Sequence, residues 1–173
     1  MPNIDINLKD LEKLLGKKLP EDLDEFFMFV KGEIDSREGD ELKLDVKETN
    51  RPDMWSTEGI ARELKAKLGL ETGLPKYKVK KGTTKVFIDK NLENVRPLIA
   101  CAIVRNVKIS ENLLIQMIQL QEKIGTSFGR KRKECGIGLY DFSKMTPPVY
   151  YKGFKDNEIE FVPLEWKVKM RPS

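Results

Sequence analysis

Residues 110–142, SENLLIQMIQLQEKIGTSFGRKRKECGIGLYDF, constrain the fold most, because a helical apolar pattern passes through a basic turn into a glycine-interrupted apolar segment without a break. Ser110 is a good helix N-cap, and Leu113, Leu114, Met117, Ile118, Leu120 and Ile124 recur at helical spacing, so one face of this helix is expected to be buried. At about 100° per residue, Gln121 projects between Met117 and Leu114, near the middle of the apolar arc, while Gln116, Gln119 and Lys123 cluster on the other side. An amide inside an apolar arc needs hydrogen-bond partners. Either nearby backbone satisfies it as a core group, or helix, turn and strand surround a pocket in which the amide faces a ligand.

Gly125 and Gly129 bracket the end of the helix, and Arg130, Lys131, Arg132 and Lys133 follow in succession before Glu134. Cations at a helix C-terminus complement its dipole and stay solvated. In an extended segment, however, Arg130 and Arg132 share a side opposite Lys131 and Lys133, and one pair can meet a carboxylate or phosphate, which suits arginine's planar fork. The next residues read as a strand with Cys135, Ile137 and Leu139 on one face and Gly136, Gly138 and Tyr140 on the other. Glycines along one face mark close approach of a ligand or of other backbone.

The chain has 173 residues, enough for one domain or two small ones with a core that needs no staples. A formal charge of +4 permits a nucleic-acid partner without requiring one, and the only local cluster of cations is 130–133. Cys101 and Cys135 lie in apolar runs with no CxxC, which predicts buried, reduced thiols in a cytoplasmic protein. No signal peptide is visible, and the longest apolar run, 98–104, is far short of the ~20 residues of a membrane span. With no histidine in the chain, Ser-His-Asp and Cys-His catalysis and the usual zinc sites are excluded. Gly-rich phosphate loops are also missing, no metal site is expected, and no catalytic residue can be assigned.

Taken in order, Ile4 and Ile6 predict a short strand, and Asn7 caps a helix carrying Leu8, Leu11, Leu14 and Leu15 as far as Gly16. A second helix is expected from Pro20, with Leu23, Phe26, Phe27 and Val30 buried and Gly32 closing it. Residues 33–46 read as a hairpin turning at EGD. In 45–64, Asn50 with Asp53 looks like a capping arrangement and Ser56 like a second helix start, with Ile60, Ala61, Leu64 and Leu68 buried. Residues 70–82 break the pattern. Beyond them come strands at 85–88 and 98–104, the focal helix packing on that sheet, and an aromatic strand after Pro147 and Pro148. The expectation is an α+β fold, with an N-terminal α/β module at 1–74 and a mixed-sheet domain at 75–173 that looks truncated at RPS.

Two segments carry a resemblance. TNRPDMWSTEGIAREL resembles the NRPDLxSxEGxAR signature near the start of the phenylalanyl-tRNA synthetase β subunit, and IQLQEKIGTSFGRKRKECGIGLYDFSK resembles the editing domain of its archaeal and eukaryal form. The two lie in the family's order and spacing, and the likeness covers nearly the whole chain. It implies residues 75–173 as the first part of an editing domain that hydrolyses tyrosine mischarged on phenylalanine tRNA, with the remaining editing residues beyond Ser173. It also implies an α2β2 enzyme whose ATP- and magnesium-dependent site lies on the α subunit, so that no cofactor belongs to this stretch, and it carries Gln121 and Arg132 onto pocket positions that bind tyrosine or phenylalanine, with Arg130 as a third candidate. The alternatives are a scaffold and tRNA-contact module without chemistry, or an unrelated small-molecule-binding domain.

Overall fold

A computed structural model describes residues 3–172, so Ser173 of the RPS end lies outside the described residues. The chain divides into two compact units, one of Met1–Tyr77 with Val107–Leu139 and one of Lys78–Asn106 with Tyr140–Ser173. The units interleave along the chain, whereas the division expected at 74/75 separates consecutive stretches.

In the first unit, β1 (Asn3–Asn7) buries Ile4 and Ile6 and leads directly into α1 (Leu8–Leu15). The Asp10 N–H donates to Asn7 Oδ1 at 3.0 Å, and Gly16 closes the helix at φ 74°, a left-handed conformation that glycine adopts without a Cβ penalty. The second helix, α2 (Leu23–Met28), is shorter than the pattern from Pro20 predicts, because Asp22 supplies its cap. Gly32 does not close that helix. It opens β2 (Gly32–Glu38), where a Cβ would sit 2.9 Å from the Leu44 side chain. The expected hairpin joins β2 to β3 (Glu41–Val46), and the antiparallel sheet has the order β1-β3-β2. Ile4, Ile6, Leu42, Leu44 and Val46 share one core with Leu11, Phe27, Met54, Trp55, Ile60 and Leu64.

Residues 50–59 shape the entry to α3 (Thr57–Lys67). Pro52–Met54 form a single 3-10 turn, and Ser56 caps α3 by accepting the Gly59 N–H on Oγ at 3.2 Å, as its sequence predicts. Asn50 with Asp53 is not the cap of the 3-10 turn, whose Arg51 cap position makes no side-chain capping bond. The Asp53 carboxylate instead accepts two 2.9 Å bonds from Arg51 and one of 2.8 Å from Arg62, and Arg51 also reaches Glu63 at 3.1 Å. A bidentate charge-assisted pair outcompetes a single neutral capping bond. These bonds, those of Arg51 foremost, hold the Asp53 carboxyl below its ordinary value of 3.8 against the opposing effect of burial. Gly59 sits against this turn so closely that a Cβ would fall 1.6 Å from the Asp53 carbonyl oxygen.

The second unit pairs β4 (Val86–Ile88) in parallel with β5 (Val149–Tyr151), the aromatic strand expected after the prolines, and Phe87 stacks on Tyr150 at 5.5 Å. Residues 98–104 are not a strand. Leu98 and Val104 are 88% and 77% exposed, since extended backbone becomes a ladder only where a neighbour completes its hydrogen bonds, and no described strand does so. Residues 135–140 are irregular for the same reason, and Cys101 and Cys135 are accordingly exposed rather than buried. No helix among the described residues is long and apolar enough to cross a membrane. Helices beside small sheets agree with the α+β class.

Two outcomes are expected. Gly59→Ala should destabilise the chain by at least the roughly 1–3 kcal/mol typical of overpacking, because the clash is with backbone, while Gly82→Ala, in open space, should lie within about 0.5 kcal/mol of wild type in urea titrations. Asp53 contributes stability above pH 3.8 that is lost as pH falls through its lower folded value, so Asp53→Asn should flatten the acid limb of the stability profile below pH 3.8.

Candidate functional site

The focal helix, α4 (Glu111–Thr126), begins where its sequence predicts, with the Leu113 N–H donating to Ser110 Oγ at 3.2 Å. It belongs to the first unit, not to the sheet at 85–104, and it buries only part of the expected apolar arc. Gln116 is 6% exposed, whereas Leu114, Ile115 and Ile118 are 46%, 49% and 46% exposed. The partly buried Leu120 and Ile124 pack on the core.

Hydrogen bonding to the outer edge of β1 accounts for this choice. The Asp5 N–H donates to Gln119 Oε1 at 2.7 Å, and the Asp5 carbonyl accepts Gln116 Nε2 at 2.9 Å and Gln119 Nε2 at 3.4 Å. Gln116 Oε1 accepts the Thr57 N–H at 2.8 Å, one of the first-turn donors of α3 that has no partner within its own helix, and also Gln119 Nε2 at 3.1 Å. An edge strand and a helix N-terminus both present backbone groups that water cannot reach once covered, so the covering face has to be polar. The sequence placed Gln116 and Gln119 on the side away from the apolar arc; the signal that finds them is two amides one turn apart, able to mimic a neighbouring strand.

Gln121, the amide expected in the buried arc, is half-exposed and has no hydrogen-bond partner among the described residues. The basic segment is not extended. Arg130, Lys131 and Arg132 have φ of 47°, 57° and 64°, a left-handed turn that folds back on the helix. The Lys131 N–H donates to the Thr126 carbonyl at 3.1 Å and the Arg132 N–H to that of Gly125 at 2.7 Å. Gly129 is needed in this fold-back, since a Cβ would lie 2.5 Å from the carbonyl oxygens of Gly125 and Cys135. Arg130 and Arg132 do meet carboxylates, as their chemistry suggested, but the chain's own: Arg130 pairs with Glu134 at 3.5 Å and Arg132 bonds Glu122, the neighbour of Gln121 in sequence.

Near the end of α4, a groove of about 730 Å³ is lined by Asn3, Thr49, Trp55, Lys123, Thr126, Ser127 and Phe128, with Phe128 stacked on Trp55 at 5.7 Å. None of Gln121, Arg130 and Arg132 lines it. No cluster of three or more acidic or thiol side chains able to hold a metal occurs among the described residues.

This architecture has close counterparts. A crystal structure of an N-terminal fragment of the phenylalanyl-tRNA synthetase β subunit from Pyrococcus horikoshii matches 98% of this chain and 50% of that one, at a TM-score of 0.91 and 45% identity. The phenylalanine–tRNA ligase β subunit of the same organism is 46% identical over 98% of this chain, and that of Thermococcus kodakarensis is 44% identical over 98%. The chain belongs with the N-terminal region of archaeal phenylalanyl-tRNA synthetase β subunits. It spans about a third of the length of these curated relatives, 31% and 30% respectively. No family model matches it.

Within this β-subunit framework, the NRPD segment is a structural device: Arg51, Asp53, Glu63 and Arg62 neutralise one another while Gly59 and Ser56 seat α3. The two glutamines of interest on α4 also differ in what they should do to stability. Gln116→Leu strands the Thr57 N–H and leaves the Asp5 carbonyl only its 3.4 Å bond from Gln119, and should cost roughly 1–3 kcal/mol. Gln121→Leu strands nothing and should stay within about 0.5 kcal/mol of wild type, both read from chemical denaturation.

Proposed function

We propose that this chain is the N-terminal part of a phenylalanine–tRNA ligase β subunit that contributes to editing, the hydrolysis of tyrosine mischarged on phenylalanine tRNA, in a cytoplasmic enzyme built with an α subunit as α2β2. The observation that carries the reading is the likeness across 98% of the chain to a β-subunit N-terminal fragment. Editing has a physical motive. A pocket shaped for phenylalanine rejects an analogue bearing one extra hydroxyl by only about a hundredfold, so a second site with polar groups that read the hydroxyl is required.

On this reading Gln121 is the amide that reads the substrate, consistent with its having no partner among the described residues, and Arg132, folded back beside Glu122, is a second substrate-binding group with Arg130 a weaker third. Aminoacylation supplies ATP and magnesium chemistry in the ligase as a whole. The described residues, with no carboxylate cluster for a metal and no phosphate-cradling loop in the sequence, do not fit that site, which this reading places on the α subunit. Water is the attacking group, and the tRNA's own hydroxyl can assist it; residues 1–173 supply no histidine as a base.

One observation favours a second reading, a scaffold and tRNA-contact module without chemistry: both arginines already hold carboxylates of the chain. The two readings separate in the full-length synthetase. Gln121→Leu and Arg132→Ala should each slow hydrolysis of tyrosyl-phenylalanine tRNA by about tenfold or more while leaving charging with phenylalanine intact. Normal hydrolysis by both variants assigns this region to scaffolding.

A further inference from the structure

α4 has two apolar faces of similar size, and only one is used for packing. Leu120 and Ile124 pack on the core, while Leu114 and Ile118, centred ~120° further round the helix, stay half-exposed. Apolar contact is non-directional and does not select between these faces. Hydrogen bonds are directional, and four of them do: Asp5 N–H to Gln119, the Asp5 carbonyl from Gln116 and from Gln119, and Thr57 N–H to Gln116. Asp5 and Thr57 lie on different elements, so bonds to both set the rotation of α4 and also its height along its axis.

Gln121 lies ~140° around the helix from Gln116, on the seam between the packed and the open apolar faces. A roll of α4 that exchanged the two faces would turn Gln121 away and carry with it the turn that returns Arg132 to Glu122. We infer that Gln116 and Gln119 are positioning residues for editing: they lock α4 to the outer edge of β1 and the N-terminus of α3, and thereby hold Gln121 and Arg132 where the substrate meets them. This inference rests on the editing reading of α4. It gives the N-terminal module a part in editing through the backbone of Asp5 and Thr57.

The test uses the full-length synthetase assembled with its α subunit. Gln116→Met keeps the length of the side chain and removes its bonds; Gln119→Ala, at a half-exposed position, removes the second amide. Single-turnover hydrolysis of tyrosyl-phenylalanine tRNA is measured well below each variant's melting temperature, beside charging with phenylalanine. The expected result is a rate constant for hydrolysis about tenfold or more below wild type for the Gln116→Met, Gln119→Ala double variant, with the concentration dependence on tRNA and the charging rate unchanged. A purely structural clamp would lower the melting temperature and leave the rate constant at wild type, which overturns the inference. Gln121→Leu and Arg132→Ala run in parallel distinguish the two failures. If they are impaired while the double variant is normal, only the positioning role falls; if all three hydrolyse normally, the editing reading falls with it.

Discussion

The outer edge of β1 is the constraint on which the first unit depends. A three-stranded sheet of order β1-β3-β2 leaves β1 with one unpaired side, and at Asp5 that side is covered by a helix lying more than 100 residues further along the chain. Covering an edge with apolar side chains would leave the Asp5 N–H and carbonyl without partners, at about 1–3 kcal/mol for each stranded group. Two carboxamides one helical turn apart supply both a donor and an acceptor, so they stand in for the missing strand. The Gln116 amide also accepts the Thr57 N–H in the first turn of α3, which ties sheet edge, helix start and α4 into one hydrogen-bonded unit.

The start of α3 is held from its other side by charge. Asp53 sits between Arg51 and Arg62, and Arg51 extends the network to Glu63. The Asp53 side chain is 36% exposed, so solvent screens these pairs and their net worth is that of a network of surface bridges rather than of a buried ion pair. Their geometric effect is larger than their energetic one. They fix the 3-10 turn whose carbonyl at Asp53 meets Gly59, and this contact sets how closely α3 approaches.

The basic turn after α4 is maintained against local preference. Left-handed conformation costs non-glycine residues roughly 1–2 kcal/mol each, and Arg130, Lys131 and Arg132 adopt it in succession. Hydrogen bonds from the N–H groups of Gly129, Lys131 and Arg132 back to the last turns of the helix, with Glu122 and Glu134 on the two arginines, offset that cost. With their amides committed inward, these residues meet any anion through side chains alone. Strain of this kind concentrates where a site has to be held in one geometry, in keeping with the editing role proposed for Arg132.

Local signals set the elements whose partners are near in sequence. Asn7, Ser56 and Ser110 cap helices because a short polar side chain reaches its own first turn; Ile4 and Ile6 alternate because the strand is half-buried; the hairpin at 33–46 needs only its turn. The NRPD and FGRKR motifs likewise declared the β-subunit resemblance, since a motif is a local string. Tertiary structure alone decided which face of α4 is buried, because that depends on a strand edge at Asp5 which residues 111–126 do not encode. It also decided that 98–104 and 135–140 are not strands among the described residues, since an apolar run becomes a strand only when another chain segment supplies its hydrogen bonds. Periodicity reports how apolar each face of an element is; it carries no information about the backbone groups that face will meet, and on α4 those groups determined the outcome.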